Sequence, residues 1–197
     1  MQLISFAPSN WLRSPLMVDW RDNGGIREKI PVRNYWKREQ AAEALRSMES
    51  PLASWKSLET RTRTRCAGLT FSDDAFQPLG DQPFVRAVAD QFMFLFEQLN
   101  CFADCFDAHG KRSEEGNQLY RDFFTGDRTR FSDSSEDEKR RFENELTFPR
   151  PEKTTESLFC PMHGKTQTPQ LRFHFSWPIR YAQPVYVVYV GPKLTKR

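Results

Sequence analysis

A chain of 197 residues is long enough for one large domain or two small ones. Only 38% of it is hydrophobic, but 17 residues are Phe, so a core can form and must be Phe-rich, and no apolar run reaches the roughly eighteen residues that a membrane span needs. The net charge is +3, and four cysteines behind an N-terminus without signal-peptide character argue against a disulfide scaffold and for reduced thiols in the cytoplasm.

The charge is unevenly placed. Residues 1–67 hold 12 Lys/Arg against 7 Asp/Glu, residues 68–149 hold 9 against 17, and residues 150–197 hold 8 against 2. Two basic ends around an acidic middle suit a nucleic-acid face with the acidic part turned away or towards a partner. Equally, the ends can pack on the middle and neutralise it. The sequence pI of 8.7 lies below the usual footprint of a nucleic-acid-binding domain, above about 9.

In chain order, Met1 to Phe6 reads as a short strand. An irregular aromatic arm follows, with Pro8, Trp11, Pro15 and Trp20 and a turn at Asn23-Gly24-Gly25. A helix is expected over Asn34 to Met48, stopped by Glu49-Ser50-Pro51, and a short one through Leu52 to Leu58. Thr60 to Arg65 alternates Thr with Arg. As a strand it sets Arg61, Arg63 and Arg65 on one face, either as forks for phosphate oxygens or as a solvated face. Cys66 to Phe71 continues that strand, and Ser72 to Gln82, with Asp73, Asp74 and Asp81, reads as turn and capping chemistry.

Phe84 to Phe106 is the strongest helix signal, because Val85, Val88, Phe92, Leu95, Leu99, Phe102 and Phe106 share one stripe. Its segment 92–96 is apolar nearly all round, which means burial on several sides or a partner interface. Cys101 and Cys105 lie four apart on one helical face, as two thiolates for zinc or as small buried hydrophobes. Helices are expected over Ser113 to Phe124 and from Ser134 to near Leu146. Phe148-Pro149-Arg150-Pro151 then reads as a stiff linker dividing 1–149 from 150–197, two regions integrated in one domain.

The last block reads as three strands in an antiparallel meander: Ser157 to Met162, Gln170 to Trp177 and Val185 to Val190, the first two joined by a turn from His163-Gly164-Lys165. Leu171, Phe173, Phe175 and Trp177 point one way, and Arg172 and His174 the other. Four uses of that second face stay open. Lys165, Arg172 and Arg180 can bind phosphate or nucleic acid. His163 or His174 can act as general acid and base for metal-independent RNA cleavage. Cys160 and His163, with Cys101 and Cys105 or with His174, can supply zinc ligands. The histidines can also be plain sheet residues.

Two resemblances bear on this. The second and third strands resemble the sheet of small ribonuclease toxins of the RelE type, which use basic residues on a sheet face. The tail Tyr189-Val190-Gly191-Pro192-Lys193-Leu194-Thr195 resembles the ending of uncharacterised bacterial proteins from mobile-element and anti-phage defence loci, Tyr/His-Ile-Gly-x-His-Leu-x-Thr, with Lys193 where the pattern has His. It implies a bacterial conflict setting and no activity. We expect an α+β fold, the long Phe helix packed on a C-terminal antiparallel sheet of three or more strands. The expected function is a non-enzymatic nucleic-acid or nucleoprotein-complex binding subunit, with a small nuclease or a protein–protein adaptor as the alternatives, and with no membrane partner.

Overall fold

The computed structural model describes residues 2–4, 16–22, 25–35, 37–47, 50–126, 129–166 and 171–195. The chain divides into two compact units, residues 1–51 and 52–197.

In the first unit, β1 (Gln2–Ile4), β2 (Leu16–Asp22) and β3 (Gly25–Tyr35) form a sheet in the order β1-β3-β2, followed by α1 (Arg38–Ser47). β2 and β3 are an antiparallel hairpin and β1 runs parallel to β3. From Leu16 onward, the segment expected to be an irregular arm is therefore regular. Met17 and Asp19, two apart, are both exposed, as the strand period requires. Gly25 opens β3 at φ +115°, a conformation that favours glycine. α1 begins later than expected because β3 runs on through Asn34 and Tyr35. Pro8, Trp11, Pro15, Asn23, Gly24, Trp36 and Met48 lie outside the described residues.

The second unit starts with α2 (Trp55–Arg65), opened by a reciprocal cap in which Ser54 and Ser57 each bond the other's backbone N–H. Here the expected strand over Thr60 to Arg65 is overturned. The cap starts a helix, and the helical period then buries Leu58 and Thr62, four apart, with the Thr62 hydroxyl 3.6 Å from Met93 Sδ. Thr60 and Thr64 face solvent. β4 (Leu69–Phe71) and a 3-10 turn at Gln77–Leu79 lead to α3 (Arg86–Ala103), then α4 (Glu114–Phe124), β5 (Phe131–Ser132) and α5 (Glu136–Arg141). α5 carries acids in its first turn and bases in its last, matching the helix dipole.

The chain finishes in β6 (Thr147–Arg150), β7 (Lys153–Phe159), β8 (His163–Lys165), β9 (Leu171–Phe175) and β10 (Val185–Pro192). The main sheet has the order β4-β10-β9-β8-β5, in which β8, β9 and β10 form an antiparallel meander, β4 joins β10 in parallel and β5 joins β8 antiparallel. The fold is thus α+β, with a five-stranded mixed sheet under α3. Phe92, Met93, Leu95 and Phe96 of α3 are buried, and Phe96 lies 4.4 Å from Phe173 of β9, centroid to centroid. Four of the five residues of the 92–96 segment are therefore core. Phe94, on the opposite side of the helix, is 48% exposed and leans on Phe123.

Two expected connections are strands. The Pro-rich segment 148–151 is not a linker but mostly β6, inside the second unit and paired with β7 in a two-stranded sheet whose edge position tolerates a proline lacking an N–H. His163-Gly164-Lys165 is not a turn but β8, the first strand of the meander, while the expected first strand overlaps only the end of β7, over Ser157 to Phe159.

Candidate functional site

The β8–β9 register sets His163 opposite His174 and Lys165 opposite Arg172, so four candidates from the sequence stand side by side. The alternation of β9 is as expected, but its second face is not open. Phe148 of β6 and Tyr189 of β10 lie about 6 Å from the His174 ring, centroid to centroid. His163 is 3% exposed and His174 1%. Lys165 and Arg172 are half-buried. The expectation of a basic, solvent-facing sheet surface is corrected accordingly: the β6–β7 hairpin lends this face a cover.

The hydrogen bonds fix how the rings are protonated. His163 Nδ1 is 3.1 Å from the Pro161 carbonyl and His174 Nδ1 is 2.9 Å from the Cys160 carbonyl. A carbonyl only accepts, so both Nδ1 atoms carry the proton. His163 Nε2 then accepts from the Ser132 hydroxyl at 3.2 Å, whereas His174 Nε2 is buried without a partner. Burial, reinforced by Arg172 and by the neighbouring imidazole, holds His163 down to about 3. Burial holds His174 down to about 4, against the Cys160 bond, which favours the charged form. The two neutral, enclosed imidazoles take part in packing and hydrogen bonding.

The four zinc candidates are not brought together. Cys160 is fully buried beside Tyr186 and Val188, and burial pushes its thiol up to about 12, the opposite of what a thiolate ligand needs. Cys101 is exposed at the end of α3, and the Cys105 thiol donates to the Cys101 carbonyl at 3.2 Å. Among the described residues, no group of three His, Cys, Asp or Glu side chains converges to hold a metal.

The helical turn of α2 disperses the expected arginine ladder. Arg63 turns inward: its guanidinium donates to the carbonyls of Phe71 at 3.2 Å and Ser72 at 2.8 Å, pairs with Glu59 at 3.1 Å and stacks over Phe71 and Phe76. Arg65 pairs with Glu97 at 2.7 Å, and Arg61, four residues earlier, is half-buried. Arg63→Ala should therefore cost stability, about 2 kcal/mol, because it strands two carbonyls of half-buried or buried backbone. Arg63→Lys should recover little of that, since an ammonium cannot span the fork. Urea denaturation measures both. If Arg63 were instead a phosphate contact, the variant would keep its stability and flatten the salt dependence of nucleic-acid binding.

Part of the charge imbalance is spent inside this unit. Glu138 of α5 accepts from the Thr195 hydroxyl at 2.7 Å and from Lys193 at 3.0 Å, and these bonds, the hydroxyl first, pull its carboxyl down to about 2. The tail from Lys193 to Thr195 is thereby stapled to α5.

One surface has a different character. The loop from β9 to β10 carries Trp177, Arg180 and Tyr181, which are 38% exposed, exposed and 56% exposed. It is anchored at Trp177 and at Ile179. The Trp177 ring lies 5.6 Å from Phe124 and parallel to Phe102, and Ile179 is buried at 6%. A turn closed by Gln183 N–H on the Arg180 carbonyl, with Ala182 at φ 52°, projects Tyr181 outward. Arg180 was legible in the sequence as a phosphate candidate. The strand alternation sets Trp177 on the inward face, and no periodic pattern marks Tyr181. The cluster of Trp, Pro, Arg and Tyr within five residues was the signal available. No family model matches the chain, and neither a curated protein nor a solved structure matches it.

Proposed function

We propose that this chain is a non-enzymatic subunit that binds single-stranded nucleic acid through the β9–β10 loop. The observation that carries the reading is the trio Trp177, Arg180 and Tyr181 of that loop: two exposed rings and an exposed guanidinium within five residues. Bases stack on such rings irrespective of sequence, and the guanidinium meets the phosphate that connects them. The Trp177 ring is held against Phe102 and Phe124 before binding, so little ordering entropy opposes its contact. The enclosure of His163 and His174 supports the non-enzymatic half of the reading. The resemblance of the tail carries the setting, a bacterial defence or mobile-element system.

Fluorescence anisotropy of labelled single-stranded DNA and RNA oligonucleotides tests this. Wild type should bind with an affinity that falls as salt rises. Tyr181→Ala should weaken binding about tenfold, the loss of one stacked base, and Arg180→Ala should lower the salt slope by about one. No binding at low salt, or binding that neither substitution changes, would overturn the proposal.

A further inference from the structure

One rung of the main sheet carries cations on three neighbouring strands and no acid. In the β8–β9 register Lys165 stands opposite Arg172. On the other side of β8 the Lys165 N–H donates to the Arg130 carbonyl at 3.0 Å, just ahead of β5. Residues two apart on a strand share a face, so Lys165 and Arg172 lie on the face of His163 and His174 and away from Phe173 and α3. The fourth position of the rung is Gly191 of β10, opposite Arg172, which adds no side chain. Tyr189 closes that side: its hydroxyl lies 2.8 Å from where a Gly191 Cβ would stand and donates to the Pro192 carbonyl at 2.8 Å.

These charges are not matched within the chain. Arg130, Lys165 and Arg172 are all half-buried, and among the described residues none of their side chains has an ion pair or a hydrogen bond. The acid that acts on the rung is Glu138 of α5, which favours the charged form of Arg172. Its carboxylate is already engaged by Lys193 at 3.0 Å and by the Thr195 hydroxyl at 2.7 Å. Asp133 and Glu136, the nearest acids in sequence to Glu138 that form ion pairs beside it, both bond Lys139, at 2.6 and 2.8 Å. With these counted in, five cations (Arg130, Lys139, Lys165, Arg172 and Lys193) face three acids (Asp133, Glu136 and Glu138). Burial, then Arg172 and Arg130, push the Lys165 ammonium below its ordinary value. Like charges set opposite one another destabilise a sheet, and charges drawn out of water are normally paired. An anion over the rung relieves both costs.

We propose that the rung Arg130–Lys165–Arg172 binds the phosphate group of a phosphate monoester. Such a group carries about two negative charges at neutral pH and three acceptor oxygens, one for each cation. A carboxylate brings a single charge and two oxygens. A phosphodiester inside a polynucleotide also brings a single charge, on a chain that must continue past the half-buried rim in both directions. The planar fork of Arg172 and the point charge of Lys165 suit different oxygens of one tetrahedral anion. The site does not rest on the β9–β10 loop: Arg172 stands at the start of β9 and Trp177 lies beyond its other end.

Isothermal titration of the full chain with inorganic phosphate, which presents the same dianion, tests this at an ionic strength held constant with chloride. Uptake should be saturable, with a single phosphate per chain. Lys165→Gln and Arg172→Gln should each weaken it about tenfold, the loss of one charge-assisted contact, and neither should lower the urea midpoint, because each also removes a repulsion. Phosphate should raise the urea midpoint of the wild type and leave those of both variants nearly unchanged. Two oligonucleotides then identify the bearer of the group. Tighter binding of a 5′-phosphorylated strand than of its 5′-hydroxyl counterpart, lost in Arg172→Gln, assigns the site to a polynucleotide end, and equal binding of the two strands assigns it to a small phosphate ester. No heat beyond the chloride control, an affinity that neither substitution changes, or a midpoint that phosphate raises equally in all three proteins would overturn the proposal.

Discussion

Replacing Phe173 with alanine is expected to destabilise the second unit by about 3–5 kcal/mol, a large fraction of the stability of an ordinary domain. Phe173 is fully buried in the middle of β9 and lies against rings from two other elements, Phe92 and Phe96 of α3 and Phe131 of β5, and against Phe175 on its own strand. It also covers a gap in its neighbour strand. Gly164 of β8 is its cross-strand partner, and a Cβ built there would lie 2.3 Å from the Phe173 ring. The ring occupies the space that a side chain at 164 would need. Gly164→Ala alone should then cost about 1–3 kcal/mol through overpacking, but should cost far less once Phe173 is alanine. A double-mutant cycle by urea denaturation should give a coupling of more than about 1 kcal/mol. Additive losses would show that the ring and the glycine do not share that space.

The same pair explains which parts of the fold could be read from the sequence. α3 was legible because its apolar stripe is long and helical in period, and β9 and β10 because β9 alternates and β10 is apolar throughout. β8 was not, because three residues with a central glycine look like a turn. The reason for that glycine is a ring nine residues further on. The Thr–Arg alternation in α2 has the strand period, yet Ser54 caps a helix there and burial of Leu58 and Thr62 selects it. At the candidate site the alternation correctly separated Arg172 and His174 from Leu171, Phe173 and Phe175. What covers the Arg172–His174 face was illegible, because the covering strand begins in a Phe-Pro-Arg-Pro segment whose composition reads as a linker. Arg63 shows the same limit. A side chain suited to phosphate forks is equally suited to backbone carbonyls, and only the tertiary structure decides which it meets.

Acidification should unfold the second unit through its two enclosed histidines. Both have folded-state values below the ordinary 6.5, about 3 for His163 and about 4 for His174, because burial disfavours the imidazolium and Arg172 adds like charge. Above pH 6.5 both are neutral in folded and unfolded chains alike and their contribution is fully present. As pH falls below 6.5 the unfolded chain takes up two protons that the folded one refuses until about 4 and then 3. Stability therefore declines through this window, at up to about 2.7 kcal/mol per pH unit with two sites in play. Glu138, held down to about 2, adds to the decline below the ordinary carboxylate range. Urea midpoints from pH 7.5 to 4.5 should trace the fall. The variant His163→Asn/His174→Asn should flatten it between pH 6.5 and 5, because an Asn amide can donate to the Pro161 and Cys160 carbonyls as Nδ1 does but takes up no proton. The asymmetry of the pair sharpens the expectation. His174 Nε2 has no partner while His163 Nε2 holds Ser132, so His174→Asn should cost less at neutral pH than His163→Asn, which leaves the Ser132 hydroxyl without its acceptor. A wild-type midpoint that stays level from pH 6.5 to 5 would mean that the rings are reached by water and that the β6–β7 cover opens in solution.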